Sequence, residues 1–452
     1  MKKQFNWFIR KLNISQIIVL AFVGVILIGT MLLCLPSASR TGSSNGFMTA
    51  LFTATSATCV TGLALGDTYC QWSAFGQLVL LFLIQIGGLG FMSVGSLLFL
   101  ALKKQFDLKP LLIMAQSVGT ENLADVIRIQ KKLLLGGFSI EAIGALILTL
   151  RFTKWYSFSR AMWLGVFHSV SAFCNAGFDV LGFAYPGESL IQFNEDSVIM
   201  LTLSFLIILG GLGFVVWDDL TKKKRPFRLH VYTKMVLSIT FVLLIVGTIV
   251  YTIVEYENVR TIGNMNFGGK VLNAFFQSVT TRTAGFAGID QGSLTETGKI
   301  FTIFLMFIGG ASGSTAGGLK VVTFAVIVLF LLSRLRGKSD VNFFGCRFSE
   351  TQIMDALCLF GMMTILSFAG AIIICGTTNF RFVDGLYETV SALATAGLSV
   401  GVLSGIGVVS KLLLIIYMFF GKIGILTISM GFLQKSTKKD KIRYPETNLP
   451  IG

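Results

Sequence analysis

Four eleven-residue stretches of the chain align with one another without a gap, and each ends in glycine. They read FTATSATCVTG from Phe52 to Gly62, FHSVSAFCNAG from Phe167 to Gly177, FFQSVTTRTAG from Phe275 to Gly285, and YETVSALATAG from Tyr387 to Gly397. Each has an aromatic residue ten positions before its glycine. Three carry serine six positions before it, at Ser56, Ser171 and Ser391, with Val279 in the third. The glycines are 115, 108 and 112 residues apart. So regular a period marks one supersecondary unit built four times. A second glycine cluster follows each stretch: IGGLGF at 86–91, LGGLGF at 209–214, IGGASG at 308–313 and FGKIGI at 420–425. It lies 25, 33, 24 and 24 residues after the loop glycine, the second copy being lengthened by a polar insertion around Pro186 to Asp196. Taken alone, such glycines would signal close helix packing.

What surrounds the repeats is apolar. Of 452 residues, 54% are hydrophobic and 13% charged, too little charge to cover a soluble domain of this length. Hydrophobic runs predict eight membrane helices near 15–37, 74–102, 131–153, 196–218, 232–256, 298–333, 350–376 and 408–433. The first run is too long for a signal peptide and reads as a spanning helix. These spans divide the chain into repeats at 1–102, 103–220, 221–336 and 337–452, the last with a short basic tail. The excess of Lys and Arg, +15 net, follows the same division. One side holds 25 of the 37 and the other 10, while Lys320 and Lys422 fall inside apolar runs. By the positive-inside rule the richer side, with both termini, is cytoplasmic. The protein is therefore expected to be multi-pass in the plasma membrane, its partner the lipid bilayer and not nucleic acid. Seven cysteines without CxxC spacing and two histidines argue against zinc. No enzyme constellation is present.

About ten residues at roughly 1.5 Å each cannot cross a hydrocarbon core of about 30 Å. Each short stretch can enter as a half-helix and return as extended chain, which is tolerated where it lines a water-filled cavity. Four returns around one axis would offer backbone carbonyls to a dehydrating cation. The expected filter residues are Cys59, Val60, Thr61 and Gly62; Cys174, Asn175, Ala176 and Gly177; Arg282, Thr283, Ala284 and Gly285; and Ala394, Thr395, Ala396 and Gly397. Small residues and glycine let carbonyls approach an ion closely. No ring of Asp or Glu occupies these positions, which disfavours a divalent-selective filter. Half-helices entering from outside would point their negative C-terminal ends at the cation. The plain alternative is four surface hairpins without a pore.

With TCVTG, CNAG, TRTAG and ATAG loops, the IGGASGSTAGGLK segment and FGKIG in the last helix, the chain resembles the Trk/Ktr/HKT potassium-transporter superfamily. The resemblance covers essentially the whole length, and eight spans bring it closest to the Ktr membrane subunits (KtrB). It implies an all-α membrane protein of four helix–pore-loop–helix repeats around a central pseudo-four-fold pore. It also implies potassium uptake with potassium as the filter-bound substrate, sodium as an optional second ion, and no cofactor. The implied partners are a second copy in a homodimer and a cytosolic nucleotide-binding regulatory ring of the KtrA kind. Cys174 stands where the family often has Asn, and ATAG replaces the commoner GTVG. In the plant branch a Ser in place of the first glycine accompanies sodium preference, so Gly62 points to potassium permeation.

Single residues refine this picture. The run Gly309, Gly310, Ala311, Ser312, Gly313, Ser314, Thr315, Ala316, Gly317 and Gly318 cannot be regular helix, because each glycine costs about 1 kcal/mol relative to alanine. The resemblance makes it an intramembrane gate beneath the filter; a kinked packing helix is the other reading. GSTAGGLK is no phosphate loop, having Leu319 where lysine belongs and no preceding strand. Lys422 is an ionisable group at membrane depth, and the resemblance places it near the gate, against a structural ion pair. Arg282 is expected to point away from the ion axis and pair with Glu388. Glu141 reads as a packed or paired group in preference to a proton relay. The basic segments 222–234, 334–347 and 435–443 are solvated membrane edges, or docking sites for the ring. Three other functions stay open: a sodium-permeable relative, an alternating-access carrier, and a non-conducting scaffold.

Overall fold

The computed structural model describes residues 14–90, 123–221 and 229–424. The N-terminal basic cluster, the ends of the spans expected at 74–102 and 408–433, most of the basic segment 222–234 and all of 435–443 lie outside these. Among the described residues the chain is helical apart from a small antiparallel hairpin, β1 (Asn342–Phe343) and β2 (Cys346–Arg347).

Each glycine-terminated stretch sits on a short helix: α2 (Phe47–Thr58), α5 (Phe158–Phe173), α9 (Phe267–Thr280) and α13 (Phe382–Leu393). Twelve to sixteen residues at about 1.5 Å rise fall short of a bilayer core of about 30 Å, as the sequence predicts. A longer helix precedes each: α1 (Ile14–Leu33), α4 (Leu123–Phe152), α8 (Val231–Val254) and α12 (Glu350–Thr377). These four are long and apolar enough to cross a membrane. Their outward side chains are bare hydrocarbon, with Phe241 64%, Ile253 70% and Ile365 70% exposed, a pattern suited to lipid and not to water.

The helices that follow are shorter: α3 (Ala74–Leu89), α6 (Ser197–Gly211), α10 (Glu296–Phe307) and α14 (Val408–Ile423). The span expected at 196–218 is not one helix. Beyond Leu212 the chain turns by 94° into α7 (Phe214–Thr221), Gly213 taking φ +85° at the corner. The expected break in 298–333 is present: α10 ends at Phe307 and α11 (Val321–Leu335) starts at Val321. Side-chain caps fix several starts, Ser73 accepting from Gly76 N, Asp196 from Val198 N and Ile199 N, and Thr295 from Gly298 N.

One glycine contact recurs and explains the second sequence repeat. Beside Gly87, Gly210 and Gly421 lie the carbonyl oxygens of Thr58, Phe173 and Leu393, each the last residue of a short helix. A Cβ at any of the three would overlap that oxygen. The second glycine cluster thus receives the C-terminal end of three of the four short helices, which is close packing at a particular atom.

Buried acids are tied to backbone turns. Glu255, fully buried after α8, accepts from Thr295 N at 3.0 Å, Thr295 Oγ1 at 2.7 Å, Asn258 Nδ2 at 2.6 Å and Thr261 Oγ1 at 2.9 Å. Replacing it removes an acceptor from four donors at once, of which Asn258 Nδ2 and Thr261 Oγ1 keep a second one. Glu255→Ala is expected to destabilise the fold by about 3 kcal/mol or more, read as a lowered thermal midpoint in detergent micelles.

Candidate ion-conduction site

The four loop glycines meet. A Cβ built on Gly62 falls 2.5 Å from Ala176 O, one on Gly177 2.6 Å from Ala284 O, and one on Gly285 3.0 Å from Ala396 O; Gly397 abuts Thr61 O. Each glycine faces the carbonyl that precedes the next glycine, and the fourth returns to the first. All four line one cavity of ≈ 360 Å³ together with Asp67, Thr68, Asp179, Ser189, Ser399 and Ser404.

The backbone behind this cycle repeats as well. Val60, Asn175, Thr283 and Thr395, each two residues before its glycine, have φ of 56°, 58°, 69° and 52°. Left-handed backbone is rare for branched residues such as Val and Thr and costs about 1–3 kcal/mol each. Gly62, Gly177, Gly285 and Gly397 follow at φ 95°, 68°, 84° and 86°. Three loops share one hydrogen bond: Thr61 N to Ser56 O at 2.8 Å, Ala176 N to Ser171 O at 2.7 Å and Ala396 N to Ser391 O at 2.7 Å. In the third, Ala284 N bonds to Thr280 O at 2.9 Å instead. The residues between, Thr61, Ala176, Ala284 and Ala396, are buried, as are Cys59, Cys174 and Ala394. Short-helix C-terminal ends lead directly into these loops, so their partial negative charges gather around the same cavity.

The segment Ile308–Lys320 crosses beneath. Gly309 N donates to Leu319 O at 2.8 Å and Ala311 N to Gly211 O at 3.0 Å. Gly313 O accepts from Phe214 N at 2.9 Å, and Ser312 O from Tyr232 Oη at 2.9 Å. Gly317 abuts Thr395, and Gly318 lies against Ala394, its Cβ position 3.2 Å from that residue's Cβ. Two ammonium groups hold this segment: Lys422 Nζ donates to Thr315 O at 2.6 Å and Lys320 Nζ to Ala316 O at 2.7 Å. Lys422 therefore has a loop carbonyl as its partner, not an acid. Lys320 was overlooked as a site residue, although the same rule that singles out Lys422, an ionisable group in an apolar run, applies to it.

The expected Arg282–Glu388 pair does not form. Glu388 folds back onto its own loop, accepting from Ser399 Oγ at 2.6 Å and Val400 N at 2.9 Å, and no ion pair reaches Arg282 among the described residues. Both donors bind Oε1, while Oε2 is buried without a hydrogen-bond partner, so local donors and not a cation hold this carboxylate. Glu141 is paired as expected: Gln85 Nε2 lies 3.0 Å from both carboxylate oxygens, with Cys174 Sγ 3.7 Å away. Asp67 and Asp179 at the mouth were overlooked, although they follow Gly62 by five residues and Gly177 by two; only the fold brings the two together.

Residues 3–442 match the family described as TrkH, cation transport protein. The chain belongs to that family. TrkH-family relatives run its full length. The potassium/sodium uptake protein NtpJ of Enterococcus hirae is 36% identical, covering 98% of each chain. The Ktr system potassium uptake protein B of Bacillus subtilis is 38% identical over 97% of this chain and 96% of its own. The crystal structure of the potassium transporter TrkH from Vibrio parahaemolyticus superposes with a TM-score of 0.68 at 18% identity, covering 92% of this chain and 85% of that one. The fold is thus that of a membrane transporter, and the family is one of ion transporters, not enzymes.

Two outcomes follow for cation uptake. Gly397→Ala adds a Cβ into Thr61 O and strains a φ of 86°, so uptake should fall about tenfold or more. Gly376→Ala, which meets open space, should leave it unchanged in the same assay. Burial, reinforced by the neighbouring Asp67, pushes the Asp179 carboxyl up to about 6, so it is charged above that pH and neutral below. Uptake measured at pH 5 should be lower than at pH 7, and Asp179→Asn should flatten that profile.

Proposed function

We propose that this chain is the ion-translocating membrane subunit of a Ktr-type potassium uptake system. The observation that carries the reading is the closed cycle of Gly62, Gly177, Gly285 and Gly397, each against the next loop's carbonyl. Potassium sheds part of its hydration shell in the ≈ 360 Å³ mouth, where Asp67 and Asp179 supply negative charge. Carbonyls of residues 59–62, 174–177, 282–285 and 394–397 then replace the lost water, as in a backbone-lined filter. The repeats divide at 1–102, 103–220, 221–336 and 337–452, and each contributes one loop to a pseudo-four-fold pore. The lysine and arginine distribution puts both termini in the cytoplasm of a multi-pass plasma-membrane protein.

Below the filter, residues 309–318 act as the gate. Hydrogen bonds from two ammonium groups hold the loop, and those same charges oppose a cation leaving the filter. By family analogy the working assembly is a homodimer on a cytosolic nucleotide-binding ring, which would reach the gate through the cytoplasmic segments. The Ktr naming of relatives supports further system components. A sodium-permeable or sodium-dependent transporter is the second reading, favoured by the potassium/sodium name of one relative.

Rubidium or potassium uptake into liposomes holding the purified chain, with and without sodium, tests both readings; absence of any cation flux overturns them. Hydrogen bonds from a charged group contribute about 1.5–3 kcal/mol, so Lys422→Ala should shift the loop towards release by roughly tenfold or more. Flux should rise accordingly, as it should on deletion of the gate loop. Unchanged flux in a well-folded Lys422→Ala protein would assign that lysine to structure alone.

A further inference from the structure

The aromatic position that opens each aligned stretch is not chemically equivalent in the four repeats. It is Phe52, Phe167 and Phe275 in the first three and Tyr387 in the fourth. Packing alone asks for no hydroxyl there, and a buried one needs a partner. Tyr387 is fully buried, and its Oη donates to Gln291 Oε1 at 2.9 Å. Gln291 belongs to the third repeat, six residues after Gly285. It is paired amide to amide with Gln277 on α9. Gln277 Nε2 donates to Gln291 Oε1 at 2.6 Å, and Gln291 Nε2 donates to Gln277 Oε1 at 3.1 Å and to Ile289 O at 2.8 Å. Both glutamines are buried. The positions aligned with Gln277 are Ala54, Ser169 and Thr389, none of them an amide.

What these groups hold is the return of the third loop. Beyond Gly285, Phe286 O accepts from Thr280 Oγ1 at 2.7 Å, Ala287 O from Leu190 N of the second repeat at 3.1 Å, and Ile289 O from Gln291. The return is thus tied to its own short helix, to the second repeat and, through Tyr387, to the fourth. That last tie reaches the short helix carrying the next loop of the cycle, whose Ala396 O lies against Gly285. Gln291 uses both its N–H groups and both oxygen lone pairs in these bonds, which fixes its orientation. We propose that the Tyr387–Gln291–Gln277 network sets the spacing of the third and fourth loops and thereby the discrimination between potassium and the smaller sodium ion. The proposal rests on the filter reading above. None of the three side chains lines the mouth cavity, so they are positioning residues. Carbonyls free to approach one another can close on the smaller ion, and a bond between their supports limits that approach.

The test compares rubidium with sodium uptake into liposomes holding the purified full-length protein. Tyr387→Phe removes one hydroxyl and keeps the ring, and Gln291 Oε1 keeps its bond from Gln277. One buried hydrogen bond corresponds to a factor of about five in an equilibrium, so the rubidium-over-sodium ratio should fall by about that factor. Tyr417→Phe removes a comparable hydroxyl, bonded between α14 and α12 to Leu366 O at 2.8 Å, and should leave the ratio unchanged. Gln291→Met should lower the ratio at least as far as Tyr387→Phe. Adding Tyr387→Phe to it should lower the ratio no further, because the hydroxyl has already lost its partner. If Tyr387→Phe fails to fold, Gln291→Met against Tyr417→Phe decides. A lowered thermal midpoint with an unchanged ratio would assign the network to stability alone and overturn the proposal. Equal uptake of the two ions by the unaltered protein would overturn it too. Absence of flux of either ion would instead remove the filter reading, and the proposal with it.

Discussion

A chain that turns back inside a bilayer has no water to satisfy its peptide groups, and the rest of this structure depends on how that is solved. The short helices end at Thr58, Phe173 and Leu393, and their terminal carbonyls are received by Gly87, Gly210 and Gly421. The extended returns beyond them are braced by hydrogen bonds with Ser56, Ser171 and Ser391. One carbonyl of each return then lies against the glycine of a neighbouring loop around the cycle. That an ion replaces water at those carbonyls is the proposal; that they are gathered in one place is a matter of geometry. The left-handed strain at Val60, Asn175, Thr283 and Thr395 is held because the packed helices leave each loop no other path.

The four units are not equivalent, and the differences concentrate in the third. It has Val279 in place of the serine, and its loop amide bonds to Thr280 O instead. It carries Arg282 where its counterparts have Cys59, Cys174 and Ala394. Its second helix opens into the segment that Lys320 and Lys422 hold from either side. That segment also leans on the corner at Gly213, through Ala311 N to Gly211 O and Phe214 N to Gly313 O. A break in one helix therefore requires a break in its neighbour, because the loop's donors and acceptors need partners that a continuous α6–α7 could not offer.

Much of this was legible in the residues. Composition fixed the membrane class, and the aligned glycines located all four short helices and the loops after them. Glycine content located the break at 309–318, because helix propensity there is poor whatever packs nearby. The corner at Gly213 was not legible, because the Ser312 and Gly313 carbonyls that meet it belong to the third repeat's loop. The Arg282–Glu388 pairing failed for a related reason. Opposite charges in neighbouring repeats suggest a bond, but Glu388 finds donors at Ser399 and Val400, close in sequence, and those win.

The sequence by itself therefore determined four aligned stretches and the backbone that they permit, since glycine placement acts locally. Tertiary structure decided which atoms meet. The order of the cycle, the Lys422 tie to Thr315, the acids at the mouth and the cavity beside Arg282 all join residues from different repeats. No local rule specifies such contacts, because they depend on how the helices pack against one another and on which polar groups that packing leaves without water.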